Sequence, residues 1–273
     1  MRLVVLTLVS LLSQAQTGAS RLILAAVTDA RGRAVVDVGA DDFVVQEGAA
    51  TRDILSARVA DYPIVLMLDT GIAARSDFSL MQRAAARFIE RLGHDRAIAV
   101  GTFGDTPRML TTFEDSRETV VQRVNELGAG GNGSALLAGA SLAAATVQAT
   151  GSLFSSVVVL SATAIDSSSG PAEQLLAPII DSGAIVHIIA NRGAGAFASR
   201  DRAPRALVEQ TRGEYTPVYS AASYQAALDR LVDRLASEML IEYLVPPGSK
   251  PLDAKIGIRL AGARVRGLGV APK

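Results

Sequence analysis

The chain has 273 residues, of which 49% are hydrophobic, and it carries 27 basic and 27 acidic side chains but no cysteine. This length can bury the core of one large domain, or of one domain with a small appendage. A net charge of zero argues against a broad binding surface for nucleic acid or for an anionic membrane. The lack of cysteine excludes disulfides, thiolate metal ligands and a cysteine nucleophile.

The first 19 residues have the order of a secretory signal peptide. Arg2 is followed by an apolar run from Leu3 to Leu12 and then by small residues at Ala15 and Ala19. A positively charged N-terminus, a short apolar segment and small residues at the cleavage site are typical of an export signal. The apolar run is shorter than the roughly 20 residues that span a bilayer. We expect cleavage near Ala15 or Ala19 and a secreted or periplasmic protein. The alternative is that this segment is an ordinary first strand.

The two ends of the remaining chain, residues 20–60 and 240–273, show strand patterns without helices. In the first segment, strands are predicted at Leu22–Val27, Ala34–Val36, Phe43–Val45 and Ile54–Val59. In the second, strands are predicted at Leu240–Val245, Lys255–Leu260 and Arg264–Val270. Neither segment has enough strands to bury a sheet alone. We therefore expect residues 240–273 to pair with residues 20–60 in a small β-domain.

Residues 61–239 alternate strands with helices. The apolar run Pro63–Leu68 ends in Asp69, which is typical of a strand buried on both faces. Further strands are predicted at Ala97–Phe103, Met109–Phe113, Val157–Leu160, Ile185–Ile189 and Tyr215–Tyr219. Helices are expected to begin near Asp77, Ser116, Ser134, Pro171, Pro204 and Ser223. This alternation predicts an α/β fold with a doubly wound, mostly parallel sheet flanked by helices.

Several short motifs occur in a characteristic order along this region. They are the strand ending at Asp69, the Gly-rich loop 128–134 with its hydroxyl, the apolar strand that ends in Leu160-Ser161, and the segment 207–215. Together they resemble a von Willebrand factor type A (VWFA) domain. The segments 41–48 and 241–246 also resemble those that flank this domain in secreted bacterial VWFA-related proteins. The resemblance implies a Rossmann-like fold and a role in protein binding.

The family's site is a divalent-metal cluster at the carboxyl edge of the sheet. Its usual pattern is Asp-x-Ser-x-Ser, a Thr in the Gly-rich loop and a second Asp after a later strand. Asp69 matches the first position and Ser134 can replace the Thr, but the remaining three positions hold Gly71, Ala73 and Ala162. Because Mg²⁺ takes about six oxygen ligands, the resemblance implies a degenerate adhesion site. We expect no tight metal site and no cofactor.

Asp69, Thr70 and Ser134 are therefore the predicted ligand-binding positions that remain from this site. The alternative for Asp69 is a carboxylate that accepts hydrogen bonds from the amides of its own loop. The alternative for Ser134 is a helix N-cap. Asp166, four residues after Ala162, is expected to be a turn residue.

The sequence offers little support for an enzyme. Gly128–Gly133 fits the dinucleotide pattern G-x-G-x-x-G, but it follows a predicted helix where that fingerprint requires a strand, so we interpret it as a loop. No Gly-x-Ser-x-Gly motif is present. Of the two histidines, His94 lies between a helix and a strand, and His187 is expected to be a hydrogen-bonded core residue. Paired carboxylates, as in glycoside hydrolases, are a spatial feature that a sequence does not display.

The main hypothesis is an exported, non-catalytic module that binds a protein partner through a rim around Asp69 and the loops 104–108 and 128–134. No nucleic-acid partner and no stable membrane span after signal cleavage are expected. Two alternatives remain open. One is a structural or assembly component of the cell envelope that uses the terminal β-domain as its contact surface. The other is an enzyme with an unrecognised site on the same scaffold.

Overall fold

A computed structural model of the chain describes residues 19–93, 95–192, 202–250 and 253–272. The predicted signal peptide, except for Ala19, lies outside these residues, and so does His94. Within the described ranges, every helix is too short or too polar to cross a membrane.

The described parts of the chain contain thirteen strands, six α-helices and two short 3₁₀ helices, Ala40–Asp42 and Ile72–Ala74. The strands are β1 (Ala19–Asp29), β2 (Phe43–Glu47), β3 (Ala50–Arg52), β4 (Ile54–Val59), β5 (Ile64–Asp69), β6 (Ile98–Phe103), β7 (Arg108–Met109), β8 (Ser156–Ser161), β9 (Ile185–Asn191), β10 (Glu214–Val218), β11 (Glu238–Val245), β12 (Ala254–Ile258) and β13 (Ala263–Pro272). The helices are α1 (Phe78–Arg91), α2 (Arg117–Asn125), α3 (Leu136–Gln148), α4 (Ala172–Asp181), α5 (Arg202–Gln210) and α6 (Ser223–Ala236).

The central sheet has six strands in the order β10-β9-β8-β5-β6-β7. All neighbouring strands are parallel except β7, which runs antiparallel to β6. Every residue of β5 is buried, because helices α1, α2 and α6 cover one face of the sheet and helices α3, α4 and α5 cover the other. The predicted doubly wound α/β sheet is confirmed.

The two ends of the chain meet in a separate pair of antiparallel sheets. One has the strand order β13-β1-β11-β4 and the other β12-β2-β3. Ile23 of β1 lies opposite Ile241 on one side and Val270 on the other. The inward-facing apolar side chains of both sheets form one core. The predicted β-domain from the N- and C-terminal segments is therefore confirmed, although it contains two sheets.

A buried charge network lies inside this β-domain. Both carboxylate oxygens of Glu47 are paired, one with Arg21 and the other with Arg52 at 3.0 Å. Tyr243 places its hydroxyl 3.4 Å from the same carboxylate. The paired arginines provide the compensation that a buried carboxylate requires.

Contacts across the boundary join the β-domain to the central sheet. The Tyr62 hydroxyl, just before β5, donates a hydrogen bond to the buried carboxylate of Glu238 at the start of β11. Arg212 adopts a left-handed backbone conformation with φ of 61° and donates from its guanidinium to the carbonyl of Leu268, in β13, at 2.8 Å. These bonds attach the central domain to the terminal strands at two places.

Four local predictions were wrong. Ala34–Val36 is not a strand, since only Ala34 forms a single bridge and Val36 is exposed. Strand β3 was missed because its residues are polar and it belongs to a tight hairpin with Gly48 at φ of 62°. The edge strand β7 covers Arg108–Met109 rather than Met109–Phe113, and α3 begins at Leu136 rather than at Ser134.

Candidate functional site

The candidate site lies where β5 ends at Asp69. Since β6 and β8 flank β5 and run parallel to it, the loops that follow these strands meet at the same edge of the sheet. Asp69 is the last residue of β5 and is 0% exposed. The site is therefore a carboxylate enclosed by loops.

Protein donors approach both oxygens of the Asp69 carboxylate. Oδ1 accepts the amide of Gly71 at 2.8 Å. Oδ2 accepts the hydroxyl of Ser134 at 2.8 Å and the amide of Ala162 at 3.0 Å. The Ser161 hydroxyl lies 3.1 Å from Oδ2 and 2.8 Å from the Thr163 carbonyl, and its single hydrogen can be donated to either one. Burial raises the pKa of this carboxyl above its usual value, and these four donors oppose that rise. The group is thus a buried acceptor whose bonds hold three separate loops together.

The Gly-rich loop 128–134 is fixed to the end of β5 through Thr70. The amides of Gly130 and Gly131 both donate to the Thr70 carbonyl, at 2.9 and 3.0 Å. The Thr70 side chain does not reach Asp69, because its hydroxyl donates to the carbonyl of Phe103 at 3.2 Å. Thr70 therefore supports the loops through its backbone.

Asp105 fixes the far end of the same loop. Its carboxylate accepts the amide of Asn132 at 3.0 Å and that of Gly133 at 2.7 Å. The next residue, Ser134, donates its amide to the hydroxyl of Ser167 at 2.6 Å and accepts the Ser167 amide at 2.9 Å. Four loops are bonded to one another at this edge, and the rim they form is well ordered by its own hydrogen bonds.

The absence of a side chain at Gly71 allows this close packing. A Cβ at that position would collide with the carbonyl oxygen of Gly133 and would lie 3.0 Å from Oδ1 of Asp69. The loop backbone therefore occupies the space that a serine at position 71 would need.

The structure brings together two of the three predicted site residues. Ser134 bonds directly to Asp69, while Thr70 faces away from that carboxylate. The prediction that Ser134 caps a helix is wrong, because α3 has Ala135 at its N-cap position. The alternative for Asp69 is confirmed in part, since one of its donors is the amide of Gly71 in its own loop.

Two further polar residues have roles that the sequence did not indicate. Asp166, expected to be a turn residue, accepts the amide of Leu137 in the first turn of α3 at 3.2 Å. Ser168 donates its hydroxyl to Asp166 at 2.6 Å and accepts the amide of Ala138 at 3.0 Å. The N-terminus of α3 is thus capped from the loop after β8.

His187 is buried within β9 but is not the hydrogen-bonded residue that was predicted. Among the described residues, neither ring nitrogen has a hydrogen-bond partner. Burial, with smaller contributions from the positive charges of Arg234 and Arg266, lowers the pKa of this imidazole to about 3. The ring is therefore neutral at physiological pH.

The comparisons with known proteins can be placed on this geometry. Residues 64–162, from the start of β5 to the residue after β8, match the family model of the von Willebrand factor type A domain. The chain contains a von Willebrand factor type A domain. The matched range includes Asp69, Ser134 and Ala162, so the site described above lies within the VWFA domain. A comparison with curated proteins gives no match.

Solved structures share the VWFA fold at low sequence identity. An aerotolerance-related membrane protein from Bacteroides fragilis NCTC 9343 is 13% identical with a TM-score of 0.50, covering 63% of this chain and 98% of its own. Proximal thread matrix protein 1 from the mussel byssus, with a zinc-occupied MIDAS motif, is 16% identical with a TM-score of 0.55, covering 73% of this chain and 50% of its own. A von Willebrand factor type A protein from Catenulispora acidiphila is 13% identical with a TM-score of 0.54, covering 95% of this chain and 74% of its own. These likenesses show the fold.

Proposed function

We propose that this chain is an exported, non-catalytic protein-binding module whose VWFA domain recognises its partner without a metal ion. The observation that carries the proposal is the buried Asp69 carboxylate, which accepts hydrogen bonds from three loops of the protein. VWFA domains are typically protein-interaction modules, and the signal-like order of the first 19 residues supports export.

The donor set around Asp69 does not fit a divalent cation. A carboxylate offers about four lone-pair sites; the Ser134 hydroxyl and the Ala162 amide already approach those of Oδ2, and the Gly71 amide approaches one of Oδ1. The neighbouring positions 71, 73 and 162 hold glycine and alanines, which supply no side-chain oxygen. Among the described residues, no three acidic or histidine side chains lie close enough to hold a metal. Since Mg²⁺ and Ca²⁺ need six or more oxygens, this geometry supports ion-independent recognition.

The exposed part of the rim favours a protein partner. Ile72, directly after the Asp69 loop, is 55% exposed, and Ile165, in the loop after β8, is 44% exposed. Asp69 and Ser134 are buried, so they hold the rim and the exposed side chains would contact the partner. Because the loops are already bonded to one another, binding would cost little further ordering.

The metal-free part of the proposal is tested by thermal unfolding of the chain without residues 1–19. The melting temperature should be the same in EDTA as in millimolar Mg²⁺, Ca²⁺ or Mn²⁺. A cation bound specifically to the folded state would add about 2.7 kcal/mol at 100 times its dissociation constant. A melting temperature that rises with one of these ions, and that no longer rises in an Asp69→Asn variant, would contradict it.

The binding role is tested by chemical cross-linking in the native envelope, followed by purification of the cross-linked partner. Capture should persist in EDTA and should be lost in the rim variant Ile72→Asp/Ile165→Asp. The matched control Val36→Asp/Leu153→Asp changes two apolar residues of similar exposure away from the rim and should retain capture. Capture that survives the rim variant but fails after removal of residues 255–273 would instead support an envelope component that binds through its β-domain.

A further inference from the structure

A large cavity lies on the opposite side of the molecule from Asp69. It has a volume of about 1050 Å³ and lies between α6, the turn after β1 and the first half of β13. Arg234, on its wall, pairs with Glu214, the first residue of β10. The cavity is therefore near the amino ends of the parallel strands, whereas the rim described above is at their carboxyl ends.

Arginine dominates the charge of this cavity. Three segments distant in sequence contribute two arginines each, and the six residues are Arg31, Arg33, Arg230, Arg234, Arg264 and Arg266. The only acidic side chain among the described lining residues is Asp233, which already pairs with Arg91 at 2.8 Å. A chain with no net charge thus concentrates positive charge in one recess.

Most of these guanidinium groups lack a carboxylate partner. Arg33 pairs with Asp29 at 2.7 Å, and Arg234 pairs with Glu214. Within the described residues, the other four arginines of the cavity form no ion pair. Arg266 is repelled by the charge of Arg234 and attracted by those of Glu238 and Glu214, although it forms no ion pair with either carboxylate. A bound anion would relieve the repulsion between the converging guanidinium groups.

A smaller cavity with both polar and apolar walls shares Arg230 with the first. It has a volume of about 50 Å³ and is also lined by His187, Glu214 and Thr216. His187 is 1% exposed, and both of its ring nitrogens are without a partner in the part of the chain that the structure describes. A neutral imidazole here can donate one N–H to an anionic oxygen or to a water beneath it.

We propose that the arginine-lined cavity binds a ligand that carries two or more phosphate groups. Guanidinium groups bind phosphate oxygens in a planar, bidentate manner, and every cation in the cavity is arginine. The four unpaired arginines provide more positive charge than one phosphate needs, and the volume exceeds that of a single phosphate ion. This site would be independent of partner binding at the VWFA rim.

The test is isothermal titration calorimetry of the chain without residues 1–19, with inorganic tripolyphosphate as the probe. One site per chain is expected, with an affinity that falls as salt is added. Neutralising three unpaired arginines should weaken binding at least about tenfold, because each lost guanidinium removes a charged hydrogen bond. The variant is Arg230→Gln/Arg264→Gln/Arg266→Gln. The matched control removes three exposed arginines elsewhere and should bind like the parent chain; it is Arg58→Gln/Arg108→Gln/Arg123→Gln.

Several results would overturn the proposal. Equal losses in the variant and the control would mean that only overall charge matters. Equal affinity for a tricarboxylate would remove the preference for phosphate. Binding of anionic phospholipid vesicles or of an acidic peptide, without binding of tripolyphosphate, would assign the recess to a membrane or a protein. If the triple variant does not fold, Arg31→Gln/Arg264→Gln, which changes two exposed residues, should show the same direction of effect.

Discussion

Replacing His187 with leucine should remove a large part of the acid sensitivity of this protein. In the folded state burial lowers the pKa of this imidazole from 6.5 to about 3, so the native ring stays neutral at pH values where the unfolded ring is charged. Because the pKa of His187 is lower in the folded than in the unfolded state, protonation favours the unfolded state. The protein therefore loses stability as the pH falls below 6.5. At 1.36 kcal/mol per pH unit, the loss between pH 7.5 and pH 5 amounts to about 2 kcal/mol.

The measurement is urea unfolding of the parent chain and of His187→Leu at several pH values from 7.5 to 5. The free energy of unfolding of the parent should fall by about 2 kcal/mol more than that of the variant. Parallel curves for the parent and His187→Leu would refute the reasoning, because they would mean that the folded imidazole takes up its proton normally.

Three further substitutions test the packing of the two domains. Asp69→Ala should lower the free energy of unfolding by about 2 to 6 kcal/mol, since at least two buried amides lose their acceptor. Asp69→Asn, which keeps one acceptor oxygen, should lower it less. Equal losses of stability for the two variants in chemical denaturation would contradict this. Gly71→Ser should destabilise by about 1 to 3 kcal/mol because its side chain would meet the Gly133 carbonyl, while Ala73→Ser, at an exposed position, should change the melting temperature little. Glu47→Gln should lower the free energy of unfolding by about 3 to 5 kcal/mol, because it leaves two arginines without their buried counter-charge. An unchanged midpoint of urea unfolding would show that this charge network does not stabilise the fold.

The regular elements of the fold were predictable because their signals are local. The apolar run that ends at Asp69 indicated a strand buried on both faces, and β5 is buried along its whole length. The strand patterns at both chain ends indicated a sheet that neither end could form alone, and β1 does pair with β11 and β13.

The candidate site was predictable in its location but not in its bonds. Ser134 stands just before a helical pattern, where a cap is the usual role of serine, yet its hydroxyl turns to Asp69 because that buried carboxylate needs donors. Asp105 and Ser167 lie in loops without a repeating pattern, so nothing in the sequence connects them to residues 132–134.

The arginine-lined cavity could not be predicted from the sequence for a different reason. Its six arginines come from residues 31–33, 230–234 and 264–266, and the overall charge balance conceals them. Only the pairing of β1 with β13, and the packing of α6 beside them, brings these charges together. Composition reports the sum of the charges, whereas binding depends on their arrangement.

The pairing of β1 has a consequence for how the molecule is assembled. Within the described residues, β1 pairs with strands only at residues 238–245 and 263–272, apart from a single bridge between Thr28 and Ala34. A chain made from its N-terminus therefore carries an unpaired apolar strand until those residues have been synthesised. Residues 64–236 supply the whole core on the side of the central sheet that α3, α4 and α5 cover, and they can become compact during that interval. The slowest step should then be the pairing of β1 with β11 and β13, because these strands are far apart in sequence. A chain whose synthesis stops before residue 238 would leave the apolar strand β1 exposed and prone to aggregation.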